Sequence, residues 1–223
     1  MAPLFVQALC WARTPQAWSA LAQSWTSMKA YRDENANGYK IHKGHPVPAS
    51  WVLASVPNLG APFRDNPAEE STLAAWISRA QVSFALAIVP KAAKAAKDSE
   101  GACYRESVLE CLSGYREFLK QPGYEACRLM LAAAPAGQRG ELLTEAFKAA
   151  QERLRSPGAP APMRLQFCAP GEEPLPLELA SLASAAALRY LLAPGVANPI
   201  FDAVRSKLVR VPRAIATIED RRR

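Results

Sequence analysis

Histidine is nearly missing from this sequence: His42 and His45 are the only two in 223 residues. That scarcity narrows the chemistry. A Cys–His hydrolase would have to bring one of five cysteines to one of these two histidines, and no local pattern marks a nucleophile. His42 and His45 are spaced H-x-x-H and followed at once by Pro46, unlike the i, i+4 helical pair of zinc hydrolases. Asp33 and Glu34 lie nearby but supply no recognisable third ligand, so no metal and no cofactor is expected. GxxxxGK[ST], GxGxxG and GxSxG are all lacking, which removes the common nucleotide and hydrolase signatures. Glu172-Glu173 sits in a proline-rich stretch and reads as a solvated turn, not as a carboxylate pair for catalysis.

Other absences bound the setting. The cysteines (Cys10, Cys103, Cys111, Cys127 and Cys168) form no CxxC pair, and an odd, dispersed set suits a reducing compartment. The longest uncharged run, His45 to Phe63, is broken by four prolines, so no membrane span is expected. No acid occurs before Asp33, and the start lacks the basic region and long apolar core of a secretory signal. Its acid-free, Ala- and Ser-containing composition has something of an organellar transit peptide. Cytoplasmic residence is the expectation, with an organellar matrix as the alternative. Low-complexity tracts are lacking too, which argues against extensive disorder.

What is abundant is alanine, the residue that loses no side-chain entropy in a helix. The expected fold is mainly α, a multi-helix bundle with a few short strands. Residues 1–155 are read as a helical core with an irregular 33–65 region. Residues 163–223 are read as a C-terminal strand–helix–helix segment with a basic tail, joined through the Pro-rich linker 156–162. Residues 3–12 suit either a short buried strand or a helical turn, and periodicity does not decide. Thr14-Pro15 forms a cap and start for a helix to about Arg32, with Trp18, Leu21, Trp25 and Met28 on one face. Trp11, Trp18 and Trp25 recur every seven residues, but Pro15 interrupts them, so core packing is expected rather than a recognition stripe.

Asn37-Gly38 marks a turn, with residues 50–56 as a further strand. Asn66-Pro67 and Glu69 open a long helix expected to reach Val89, buried all round in its second half and stopped by Pro90. Further helices are expected over 100–120, 124–134 and 139–155 as antiparallel neighbours, and over 177–192. A last helix, opened by Asn198-Pro199, carries Ile200, Phe201, Val204 and Leu208 on one face. Met163 to Cys168 alternates apolar and polar residues and reads as a strand; 211–223 reads as a flexible or partner-ordered tail.

The net charge of +7 is unevenly placed. From residue 203 onward seven basic residues face two acids, with arginine outnumbering lysine six to one. Arginine suits bidentate phosphate contact and base stacking. Lys91, Lys94 and Lys97 recur every three residues among alanines, and such a comb can track phosphates. A solvated lysine face and a basic tail without a defined partner are the plainer readings of these two clusters. The 33–65 region interleaves Tyr39 with Lys40 and Lys43.

These patterns favour a non-enzymatic nucleic-acid-binding subunit of a larger nucleoprotein complex, with RNA or DNA phosphates and other protein subunits as partners. The expected contacts are Lys91, Lys94, Lys97, Lys40, Lys43, Arg205, Lys207, Arg210 and Arg213, with Tyr39 stacking on a base. A protein–protein scaffold of a bacterial or organellar complex is the alternative, and an enzyme with a loop-borne site comes third.

Overall fold

Two nine-residue runs, apolar but for Gln7 and Ser83, pair at the centre of the molecule. In the computed structural model, which describes residues 4–35, 51–55, 67–90, 96–124, 129–133, 138–155, 163–169 and 175–220, these runs are strands β1 (Leu4–Ala12) and β3 (Val82–Pro90). They run antiparallel from Leu4↔Pro90 to Ala12↔Val82. With β2 (Trp51–Ser55), β4 (Leu129–Ala133) and β5 (Arg164–Cys168) they form a five-stranded sheet in the order β3-β1-β2-β4-β5. β1 pairs antiparallel with β2, while β2–β4 and β4–β5 are parallel.

Helices cover both faces. On one lie α3 (Ala96–Leu119) and α4 (Arg139–Arg153), packed on Phe5, Leu9 and Trp11 of β1 and Ala85, Ala87 and Val89 of β3. Gly114 lets α3 come close: a Cβ there would stand 3.1 Å from the Ala85 Cβ. On the other face, α5 (Leu175–Leu192) packs over β1 and β2, with α1 (Pro15–Asn35), α2 (Pro67–Arg79) and α6 (Pro199–Arg205) around it. α7 (Arg213–Asp220) follows. α5 is long and apolar enough to cross a membrane, yet most of it is buried here, with Leu177, Ala180, Ala183 and Ala187 in the core.

By content the described residues are 61% helix and 20% strand, so the chain is mainly α, as composition implies. Its arrangement is different: the helices flank a sheet where a bundle was expected. The differences share one cause. Residues 82–89, expected to finish the 66–89 helix, form β3; α2 ends at Arg79. Residues 129–133 are β4, where a helix over 124–134 was expected, and the undecided 3–12 stretch is β1. β1 and β3 are covered on both faces, so apart from Gln7 and Ser83 their sequences are apolar runs without the alternation that identifies a half-buried strand. Because β4 intervenes, α3 and α4 are not antiparallel neighbours. Their N-terminal ends meet, with Arg139 Nε donating to Glu100 Oε1 at 2.8 Å and Gly101 against Leu142.

Other elements follow their local signals. Thr14 Oγ1 caps α1 by accepting from the Ala17 N–H at 3.2 Å, and Trp18, Leu21 and Trp25 are buried. Asn198 caps α6 by accepting from the Phe201 N–H. α6 stops at Arg205, short of Leu208, and part of the expected tail is helical as α7. The 163–223 segment adds β5 to the same sheet and α5 to the same core as the preceding chain. The linker 156–162, the Asn37-Gly38 turn, Asn66, His42, His45 and Glu172-Glu173 lie outside the described residues.

Candidate nucleic-acid interface

Four basic residues from three segments lie near the same end of the sheet, and backbone hydrogen bonds place two of them, Arg13 and Lys207. β1 ends at Ala12, opposite Val82, the first residue of β3. Arg13 follows directly, and its N–H donates to Gln81 O at 3.2 Å. Arg79 is two residues before Gln81, at the end of α2. From the C-terminal side, Arg205 ends α6 and Lys207 follows. Phe84 N–H donates to Lys207 O and Val209 N–H donates to Phe84 O, both at 3.0 Å, forming an isolated parallel bridge Phe84↔Leu208. Arg13, Arg79 and Arg205 are exposed and Lys207 is half-buried.

A polar anchor at the far ends of α2 and α6 sets their alignment. Arg189 of α5 holds Glu70, in the first turn of α2, with both terminal nitrogens: Nη1 donates to Oε1, and Nη2 donates to Oε2 at 3.1 Å. Nη2 also donates to Asn198 Oδ1 at 2.9 Å, and Asn198 Nδ2 donates to Ala186 O at 2.8 Å. With Glu70 and Asn198 both held by one arginine, α2 and α6 pack against each other, and each ends in a basic residue, Arg79 and Arg205.

Arg210 continues this surface. It is exposed and lies close enough to Glu110 of α3 to lower that carboxyl's pKa. The net effect on Glu110 is nevertheless upward, because its partial burial outweighs Arg210, and Glu106 adds to the rise. Arg213 is the exposed first residue of α7.

Of the ten expected contact residues, Arg205, Lys207, Arg210 and Arg213 therefore fall along one short segment at the β3 edge. Lys97 lies in the first turn of α3. Tyr39, Lys40, Lys43, Lys91 and Lys94 lie outside the described residues. Pro90, which precedes Lys91, is six residues along β3 from Phe84, a separation of roughly 20 Å at about 3.3 Å per residue. The C-terminal cluster therefore lies toward the Val82 end of β3, away from Pro90.

Arg13 and Arg79 were not among the expected contacts. Arg13 directly follows β1 and Arg79 ends α2, and a basic residue at such a boundary is the available signal. The sequence also gave no warning of a polar group deep inside: Gln7, midway along β1, is fully buried and accepts through Oε1 from the Ser107 hydroxyl. Its Nε2 has no hydrogen-bond partner among the described residues. Burial raises the Cys10 and Cys111 thiols well above their ordinary pKa, with Glu110 adding to the effect at Cys111. Thiols held protonated in this way are poor nucleophiles. Among the described residues no group of three or more His, Cys, Asp or Glu is arranged to hold a metal. Compared with family models, curated proteins and solved structures, the chain matches none.

Proposed function

We propose that this protein binds nucleic acid without acting as an enzyme, as a subunit of a larger nucleoprotein complex, and that the basic end of β3 is its phosphate-contacting surface. The observation that carries the reading is the convergence of Arg13, Arg79, and Arg205 with Lys207 from three segments, continued by Arg210 and Arg213. Clustered positive charge on a rigid framework attracts a polyanion, and each phosphate it neutralises releases counterions. Lys91, Lys94 and Lys97 belong to the same proposal as further phosphate contacts. Lys40, Lys43 and Tyr39 belong to the same proposal as further backbone and stacking contacts. Contacts of this kind position a strand without reading its sequence.

Filter binding of the purified protein to single- and double-stranded RNA and DNA, repeated across salt concentrations, tests the reading. The affinity should fall linearly with salt on logarithmic axes, and replacing Arg79, Arg205 and Arg210 by glutamate should weaken it. Each phosphate contact removed flattens the slope by about 0.7 to 0.9. Binding that the triple variant leaves unchanged, or no binding at moderate salt, refutes it.

A further inference from the structure

The basic segment at the β3 edge does not stand in a uniformly positive field. The Phe84↔Leu208 bridge fixes residues 207–209 against the strand, and the two residues after Lys207 turn to opposite faces of the sheet. Leu208 packs with the apolar cluster that α2, α5 and α6 share, whereas Val209 packs with the cluster beneath α3 and α4. Arg210 comes next in the chain, so this seat carries it to the α3 side of the edge. Arg79 and Arg205 end helices on the other side. The β3 edge therefore has two flanks, and their charges differ.

On α3, Glu106 and Glu110 stand four residues apart, one turn along the same face of the helix. Glu106 is exposed and Glu110 half-buried. Val108, Cys111 and Leu112, interleaved with them, face the sheet, so the two carboxylates lie at the flank of the helix. Arg105 reaches instead toward Gly101, which borders Leu142 of α4. Two acids thus stand beside Arg210 on the α3 flank. On the α2 and α6 flank the balance is reversed, with Asp202 against Arg79 and Arg205.

We propose that Glu106 and Glu110 are positioning residues for the bound nucleic acid, an acidic wall along α3 that keeps phosphates on the α2 and α6 flank and restrains Arg210 until Glu110 is neutralised. The wall rests on the nucleic-acid reading and refines it. Like charges repel, and within the Debye length, about 8 Å at physiological salt, that repulsion is poorly screened. Glu110 makes the wall responsive to pH. The charged groups acting on it are Arg210 from the C-terminal segment and Glu106 on α3, and its burial outweighs Arg210, so its carboxyl holds a proton above the ordinary carboxylate range. Protonation removes one negative charge from the wall, while the arginines keep theirs. Affinity should therefore rise as the medium is acidified through that raised value.

Filter binding of the intact protein to an RNA and a DNA oligonucleotide at low salt tests the wall. Glu106→Gln and Glu110→Gln should each tighten binding several-fold, and less so at high salt. Glu145→Gln makes the same change in net charge on α4, whose main neighbour is α3 and not β3, and should tighten it less. Arg210→Gln should weaken binding more in the Glu110→Gln background than in the wild type. The gain in affinity on acidification should flatten in Glu110→Gln. If Glu110→Gln does not fold, the exposed Glu106→Gln decides alone. Suppose the wild type binds and the Arg79, Arg205 and Arg210 triple variant weakens it, yet neither glutamine variant tightens binding beyond Glu145→Gln. That result overturns the wall and leaves the nucleic-acid reading standing. No binding by the wild type refutes that reading, and the wall with it.

Discussion

Phe84 holds Leu208 in register by two backbone hydrogen bonds, one to Lys207 O and one from the Val209 N–H, each 3.0 Å long. That single bridge fastens the basic segment to the start of β3. Val209→Pro removes one of its two donors. It is expected to destabilise the protein by about 1–3 kcal/mol, the cost of leaving a buried acceptor unmatched. Denaturant titration gives the stability. Hydrogen exchange should show protection lost at Phe84 and around 206–210 and retained in β1. If the proposed interface depends on this fastening, nucleic-acid affinity falls in the same variant although every basic side chain is kept.

Helix starts and amphipathic helices were legible in the sequence because their signals are local. Thr14 and Asn198 cap where their side chains predict, and Tyr104, Val108, Cys111, Leu112 and Tyr115 bury the stripe that their spacing marks. The half-buried strand β5 was also legible, since its two faces differ. β1 and β3 were not, because a strand covered on both sides loses its period and resembles a buried helix. The basic end of the sheet was half legible. Arg205 to Arg213 are consecutive enough to notice, whereas Arg13 and Arg79 join them only once β1 is known to lie against β3.

Gly114 marks how tightly α3 sits on the sheet. With the position of its missing Cβ only 3.1 Å from Ala85 Cβ, a larger side chain must push the helix off β3. Gly114→Leu is expected to cost about 1–3 kcal/mol by overpacking. Chemical denaturation measures it. The companion change Ala85→Gly should recover part of the loss, because it opens the space on the facing strand.

Glu110 introduces a pH dependence whose sign can be worked out. Its carboxyl pKa is raised in the folded protein, chiefly by burial, with Arg210 opposing and Glu106 reinforcing. The folded state therefore holds this proton more tightly than the unfolded state does. Stability falls as pH rises from the ordinary carboxylate range through the raised value, then levels off. Glu110→Gln removes the penalty, so its Tm should exceed that of the wild type at neutral pH. The two should converge once the medium is acidic enough to protonate Glu110 in both states. A Tm difference of constant size across that range would rule out the titration of Glu110 as its source.

Arg189 is the most heavily committed charged side chain described. It engages both oxygens of Glu70 and the side-chain oxygen of Asn198, and its Nε is buried with no hydrogen-bond partner among the described residues. The side chains of Arg189 and Glu70 keep 28% and 12% of their surface, so solvent screens the pair only in part. Arg189→Met preserves most of the volume and removes every donor. It leaves Glu70 poorly solvated and Asn198 Oδ1 with the Phe201 N–H alone. The expected loss is about 1–3 kcal/mol, the cost of stranding such an acceptor. Adding Glu70→Gln should restore much of that loss, since a neutral amide tolerates the same surroundings better than a carboxylate. A double-mutant cycle followed by urea denaturation gives the coupling directly. Coupling near zero would mean that α2 and α6 are aligned by their apolar contacts and not by the arginine between them.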